Sequence, residues 1–339
     1  MKTDIYNRFA SHPNYRDFVL PLEKLDFIRD AMLFIRKDGL VAFSEGYFHP
    51  PGKLIANIIY APDPAGKKTI FGQPYRSVIK KKGAGDEEAW INYESQLGIY
   101  RELAPESQQG KPVFAEFKCQ FDLKDFVGFV DHRRSLQKAR DLKPEIDDAM
   151  KKTARRLSIP VESIGCTGSL SLGNLATAHD FDLVFYGTVK EHWRIVEQIY
   201  EIIQDPKRQV FELGMLWAIR FYDDWGNMIC PFFSYSDRSE IALPEFEMKL
   251  IDPAAELTGM VADDRHTFYM PSVLDMKDAE VSARPDLKAV TLILYHGGLR
   301  GEYKKGDRVK ARGKVVEVKT PRKVFPAFLC TNLAESKKA

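Results

Sequence analysis

The chain has 339 residues, 44% of them hydrophobic, and a formal net charge of +2. That length exceeds one compact core and the apolar fraction excludes global disorder, so two or three domains are expected. The near-neutral balance excludes a global field for holding nucleic acid, so any basic surface must be local.

No apolar stretch approaches the roughly 20 residues that span a bilayer. The opening segment, MKTDIYNRFASHPNYRDF, lacks the apolar core of a signal peptide. Cys119, Cys166, Cys230 and Cys330 are scattered without CxxC spacing, which argues against a zinc site and a disulfide framework. The expectation is a cytoplasmic protein with reduced thiols and no membrane partner.

Three compositional zones suggest units of 1–112, 113–250 and 251–339. In the first, apolar runs at Ile28 to Arg36, Leu40 to Phe48 and Leu54 to Tyr60 alternate with the turn signals Lys37-Asp38-Gly39, His49-Pro50-Pro51-Gly52 and Pro62-Asp63-Pro64-Ala65-Gly66. Short apolar runs between such turns predict an antiparallel sheet. Lys80 to Asp86 reads as an exposed loop, and the segment with Trp90, Tyr93 and Tyr100 as a helix.

The middle zone alternates helix and strand. Asp131 to Leu157 is amphipathic and helical, with a break expected at Pro144. Strands are predicted at Ser163 to Thr167, Phe181 to Tyr186, Leu213 to Tyr222 and Met228 to Tyr235, and a helix over Val189 to Gln204. Asp223 to Asn227 reads as a hairpin turn. In the last zone, Ala289 to Tyr295 and the alternation from Val309 to Val318 predict a small β-barrel or twisted sheet. The whole is expected to be α+β, a central mixed sheet with helices flanked by two mainly β units.

The chemistry is concentrated between Gly165 and Gly187. In Asp180-Phe181-Asp182 the side chains alternate across a strand, so both carboxylates share one face, roughly 6.5 Å apart along the strand. That spacing lets them reach one magnesium ion or flank a pair. A divalent cation relieves the repulsion of two like charges, and magnesium, hard and oxygen-seeking, suits the site; manganese is the alternative. Upstream, Gly168 allows close backbone approach to a ligand. Ser169 is expected to cap a short helix whose free N–H groups would favour phosphate.

Glycine-serine, ten residues, then Asp-x-Asp before an apolar strand is similar to the signature of the DNA polymerase beta-type nucleotidyltransferase superfamily. The resemblance covers about 20 residues directly and about 110 with the flanking elements. It implies a small mixed sheet with helices, two metals, a bound nucleoside triphosphate, and nucleotidyl transfer with loss of pyrophosphate. The nucleotide would be held at Gly168 and Ser169, with Asp180 and Asp182 as catalytic metal ligands. More loosely, the chain resembles a group of predicted archaeal and bacterial nucleotidyltransferases in its His49-Pro50 turn, Tyr60 strand and Gly306-Asp307 turn.

The superfamily usually supplies a third carboxylate from a later strand, which also accepts the proton of the attacking hydroxyl. The strand Met228 to Phe233 has no acid, and Cys230 stands where the aspartate is expected. A neutral thiol is a poor magnesium ligand. Asp223 and Asp224, ending the neighbouring strand, are the substitutes, although turn chemistry is their first reading. Solvated or packing roles are the first reading for Lys80-Lys81-Lys82, for His132-Arg133-Arg134, for His49 and for His179. Two functions follow: a metal-dependent transferase acting on an acceptor that could be RNA or a small molecule, or a catalytically weak or inactive nucleotide- or nucleic-acid-binding protein.

Overall fold

The computed structural model describes residues 8–78, 93–175, 180–212, 215–282 and 284–339. The architecture is α+β, built on three separate sheets. The first contains β1 (Val19–Leu20), β2 (Leu33–Arg36), β3 (Val41–Ser44), β4 (Lys53–Pro62), β5 (Lys68–Ile70), β6 (Gln73–Ser77), β7 (Cys119–Asp122) and β8 (Phe126–Val130). All its pairings are antiparallel. This sheet runs past residue 112 because β7 and β8 return to pair with β4 and β2.

The second sheet contains β9 (Ile164–Cys166), β10 (Asp180–Gly187), β11 (Gln209–Glu212), β12 (Met215–Tyr222) and β13 (Met228–Tyr235), in the order β11-β12-β13-β10-β9. It is mixed: β10 runs parallel to β13 and antiparallel to β9. Three helices cover one face of it, α1 (His132–Leu142), α2 (Pro144–Arg156) and α3 (Val189–Ile202). Asp131 caps α1, its side chain accepting from Arg134 N at 2.9 Å. Pro144 opens α2, where its missing N–H costs nothing. Thr188 and Glu191 form a reciprocal capping box at the start of α3. Helical spacing puts Leu136, Met150, Val196 and Ile199 on the buried faces, against Phe181, Leu183, Phe185 and Phe233 of the sheet. Strand alternation then turns Asp180, Asp182, Cys230 and Phe232 away from the helices.

The third sheet contains β14 (Glu247–His266), β15 (Ser272–Val281), β16 (Val290–Leu294), β17 (Arg308–Lys319), β18 (Val324–Cys330) and β19 (Ser336–Lys338). β14 pairs with both β15 and β17, closing β14-β15-β16-β18-β17 into a barrel. Leu257, Val261, Leu274, Leu292, Val309 and Phe328 fill its interior.

The sheets are tied to one another. Thr167 Oγ1 donates to Ala31 O at 2.6 Å, Tyr47 OH to Phe233 O at 2.8 Å, and Tyr295 OH to Glu45 O at 3.1 Å. Ile55 and Phe114 share a core with Ile293, Tyr295 and Val316 of the barrel. No helix among the described residues is long and apolar enough to cross a membrane.

Candidate active site at the junction of the three sheets

The uncovered face of the second sheet opens into a cavity of about 480 Å³ lined by residues of the first and second sheets and of the segment that follows β16 of the third. That size lies within the range of small-molecule sites. Asp180, Asp182, Gly168 and Ser169, the residues selected from the sequence, all line it.

Asp180 is exposed and Asp182 half-buried. In the parallel pairing, Asp182 stands beside Cys230. The side-chain ligand atoms of Asp180, Asp182 and Cys230 lie within 4.8 Å of one another. The buried Cys230 thiol donates to Asp180 Oδ1 at 3.5 Å. The strand therefore presents a thiol where a carboxylate was expected.

Gly168 serves the site in a way its loop position did not reveal. Its φ is +64°, and a Cβ there would stand 2.2 Å from Asp182 Oδ2. Only glycine lets the carboxylate sit against this backbone. Thr167 N donates to Asp182 O at 2.9 Å and completes the link between the loop and β10.

Ser169 does not cap a helix. A single 3-10 turn, Leu170–Leu172, follows it and ends at Gly173 with φ of 76°. The Ser169 side chain makes no capping bond, and its carbonyl accepts from Leu172 N and Asn174 N. One turn has no useful macrodipole, so the segment after Ser169 does not provide the expected helix N-terminus.

The alternative acids are committed to their turn. Asp223 Oδ1 accepts from Trp225 N at 2.9 Å and Asn227 N at 2.8 Å, and Oδ2 from Asn227 Nδ2 at 2.8 Å. Asp224 pairs with Arg208 at 2.5 Å. Both line a separate small cavity with Arg156, Leu157 and Ile202 of the helical face. Among the described residues, neither joins the metal-ligand group at Asp180 and Asp182. The hairpin satisfies itself with side-chain acceptors, which is why aspartate is common there.

Of the other residues weighed from sequence, His49 Nδ1 accepts from Ile55 N at 3.0 Å, a turn role. His132 is buried, not solvated, and its Nδ1 lies 2.9 Å from Tyr186 OH. Burial pushes the His132 imidazole down to about 4. Arg133 packs on the Tyr186 ring at 4.6 Å, and Arg134 bonds the carbonyls of Arg16 and Asp17. None of these three lines the cavity. His179 and the loop Lys80 to Asp86 lie outside the described residues.

Sequence reasoning missed the cationic and aromatic part of the cavity. Lys68 Nζ lies 5.5 Å from the Tyr60 ring centre, Arg220 Cζ 3.7 Å from that of Trp217, and Arg300 Cζ 4.8 Å from that of Phe232. Burial first, then the charges of Asp182 and Asp180, holds the Tyr60 phenol well above its ordinary value, so it stays a neutral donor near the pair. The one usable signal was Arg220, a charge alternating with apolar residues along β12.

Comparison of the chain with family models, with curated proteins and with solved structures finds no match in any of the three.

Proposed function

We propose that the protein is a metal-dependent nucleotidyltransferase acting on a nucleoside triphosphate. The observation that carries this reading is the meeting of Asp180, Asp182 and the Gly168–Ser169 loop in one cavity, with Asp182 Oδ2 seated where a Cβ of residue 168 would stand. Two carboxylates on one strand face suit a hard divalent cation, magnesium or manganese, and Asp180 and Asp182 would hold it. Such a cation neutralises triphosphate charge and aligns the reacting oxygens. The loop backbone would approach the phosphates, Lys68 and Arg220 would counter their charge, and Trp217 and Tyr60 offer apolar faces to a base. In the transfer, an acceptor hydroxyl oxygen forms a bond to the α-phosphorus, the bond to the β-phosphate oxygen breaks, pyrophosphate leaves, and the hydroxyl proton passes to a base or solvent.

A second reading, nucleotide binding with little or no transfer, is favoured by the donating Cys230 thiol and by the engagement of Asp223 and Asp224 in their turn. The test is thermal denaturation with magnesium and each nucleoside triphosphate, followed by incubation with radiolabelled triphosphate and cell extract. Stabilisation with label transfer supports the enzyme, and stabilisation alone supports the second reading. Absence of any metal-dependent stabilisation sinks both.

A further inference from the structure

Farther along the same face of β13, the cavity holds two buried cations from distant segments. Phe232 stands two residues beyond Cys230, and Arg300 packs on its ring. The Arg300 side chain is 9% exposed, and its Nη2 meets Asp30 Oδ2 at 2.6 Å. The Lys118 side chain is 7% exposed, and its Nζ lies 3.4 Å from Glu45 Oε2. That carboxylate oxygen has no hydrogen-bond partner among the described residues, so the ammonium is held by charge without hydrogen-bond geometry.

An ammonium offers three donors and a guanidinium five, and neither accepts. Among the described residues, Glu45 and Asp30 balance the two charges and take up only part of that donor capacity. Buried donors are costly until acceptors reach them. The cavity is the direction from which acceptors can come, since Lys118, Arg300 and His296 all line it. Gly297 borders Arg300 on the cavity side: a Cβ there would lie in van der Waals contact with the guanidinium, 3.6 Å from Nη1. His296 Nδ1 accepts from Gly298 N at 3.0 Å, which leaves the ring proton on Nε2. Burial, then the charges of Lys118 and Arg300, holds His296 well below its ordinary value, so it stays neutral and adds no third charge.

We propose that Lys118, Arg300 and His296, with the Gly297–Gly298 turn, form an anion-recognition subsite for the acceptor, which is therefore a small molecule carrying a phosphate or carboxylate group. The assignment to the acceptor rests on the transferase reading. Lys68 on Tyr60 and Arg220 on Trp217 already supply positive charge for a triphosphate, while Arg300 packs on Phe232, two residues beyond Cys230, and Lys118 pairs with Glu45. A cavity of about 480 Å³ lies within the range of small-molecule sites, which suits a small anion.

The test is calorimetric titration of the full chain with orthophosphate and with malonate, in the absence of metal and nucleotide. One of the two anions should bind, phosphate indicating a phosphorylated acceptor and malonate a carboxylated one. Asp182→Asn, which removes a negative charge from the same cavity, should not weaken that binding. Gly297→Ala, which sets a methyl against Nη1 without straining the fold, and the paired Glu45→Gln/Lys118→Met variant, which removes both charges together, should each weaken it at least about tenfold. The proposal is overturned if wild type binds neither anion, if binding survives both variants, or if Asp182→Asn abolishes it. Anion binding without any magnesium–triphosphate stabilisation would retain the subsite and remove the transferase reading instead.

Discussion

The two ends of the cavity solve opposite electrostatic problems. At one end, Asp180 is exposed and Asp182 half-buried, and among the described residues a thiol is the third member of their group. At the other, Lys118 and Arg300 are nine-tenths buried and each is matched to a buried carboxylate. Partly solvated like charges can wait for a cation because water screens them meanwhile. Buried charges cannot wait, since desolvation without a partner costs several kcal/mol per ion. The first end therefore tolerates two like charges on one strand face at little cost. The second is balanced before any ligand arrives and offers direction and donors instead of net charge.

The largest effect should come from breaking that balance. Arg300→Met leaves Asp30 buried without its cation and should destabilise the fold by about 3–5 kcal/mol near pH 8. Asp30 is already raised by burial from 3.8 to about 6. A raised carboxyl contributes stability that is fully present below its unfolded value of 3.8 and lost as pH rises through about 6. Removing Arg300 raises the folded value further, so the cost of the variant should shrink toward pH 5. Urea denaturation at the two pH values checks this, and a pH-independent cost would assign the loss to packing.

At the Asp180–Asp182 end, Asp180→Asn with Asp182→Asn should leave the fold intact and abolish metal-dependent stabilisation by triphosphate. That stabilisation is about 2.7 kcal/mol at a ligand concentration of 100 Kd. An unchanged shift in the double variant would place the metal elsewhere.

Gly168→Ala tests whether the loop and the carboxylate form one unit. The new Cβ collides with Asp182 Oδ2 at 2.2 Å in a backbone of positive φ, so magnesium affinity should fall about tenfold, ~1.4 kcal/mol. Titration calorimetry on the folded variant reads it directly, and an undiminished affinity would separate Gly168 from the site.

The smallest effect is expected from Cys230→Asp, which replaces a weak ligand with a hard anion beside Asp182. Magnesium affinity should rise by a fewfold to about tenfold, limited by the cost of a third carboxylate in a crowded face. Label transfer should rise with it if a missing base limits the wild type. Robust transfer by wild type together with no gain in affinity would show that this strand needs no acid.

The sequence by itself determined what depends on neighbours along the chain. Alternation put Asp180 and Asp182 on one face and Phe181 and Leu183 in the core. Periodicity and caps marked α1, α2 and α3, and the turn residues marked the Asp223 hairpin. Even the thiol at Cys230 was legible, because strand pairing follows from counting along β13. Ser169 failed as a helix cap because Gly173, four residues on, turns the chain left-handed after one 3-10 turn.

Tertiary structure decided what depends on residues far apart. The return of β7 and β8 to the first sheet, the closure of the barrel, and the pairing of Arg300 with Asp30 and of Lys118 with Glu45 leave no local period to read. A buried lysine and a solvated one look alike in a sequence. Only the surrounding atoms, by removing water, turn such a charge from a surface group into one that must find a partner.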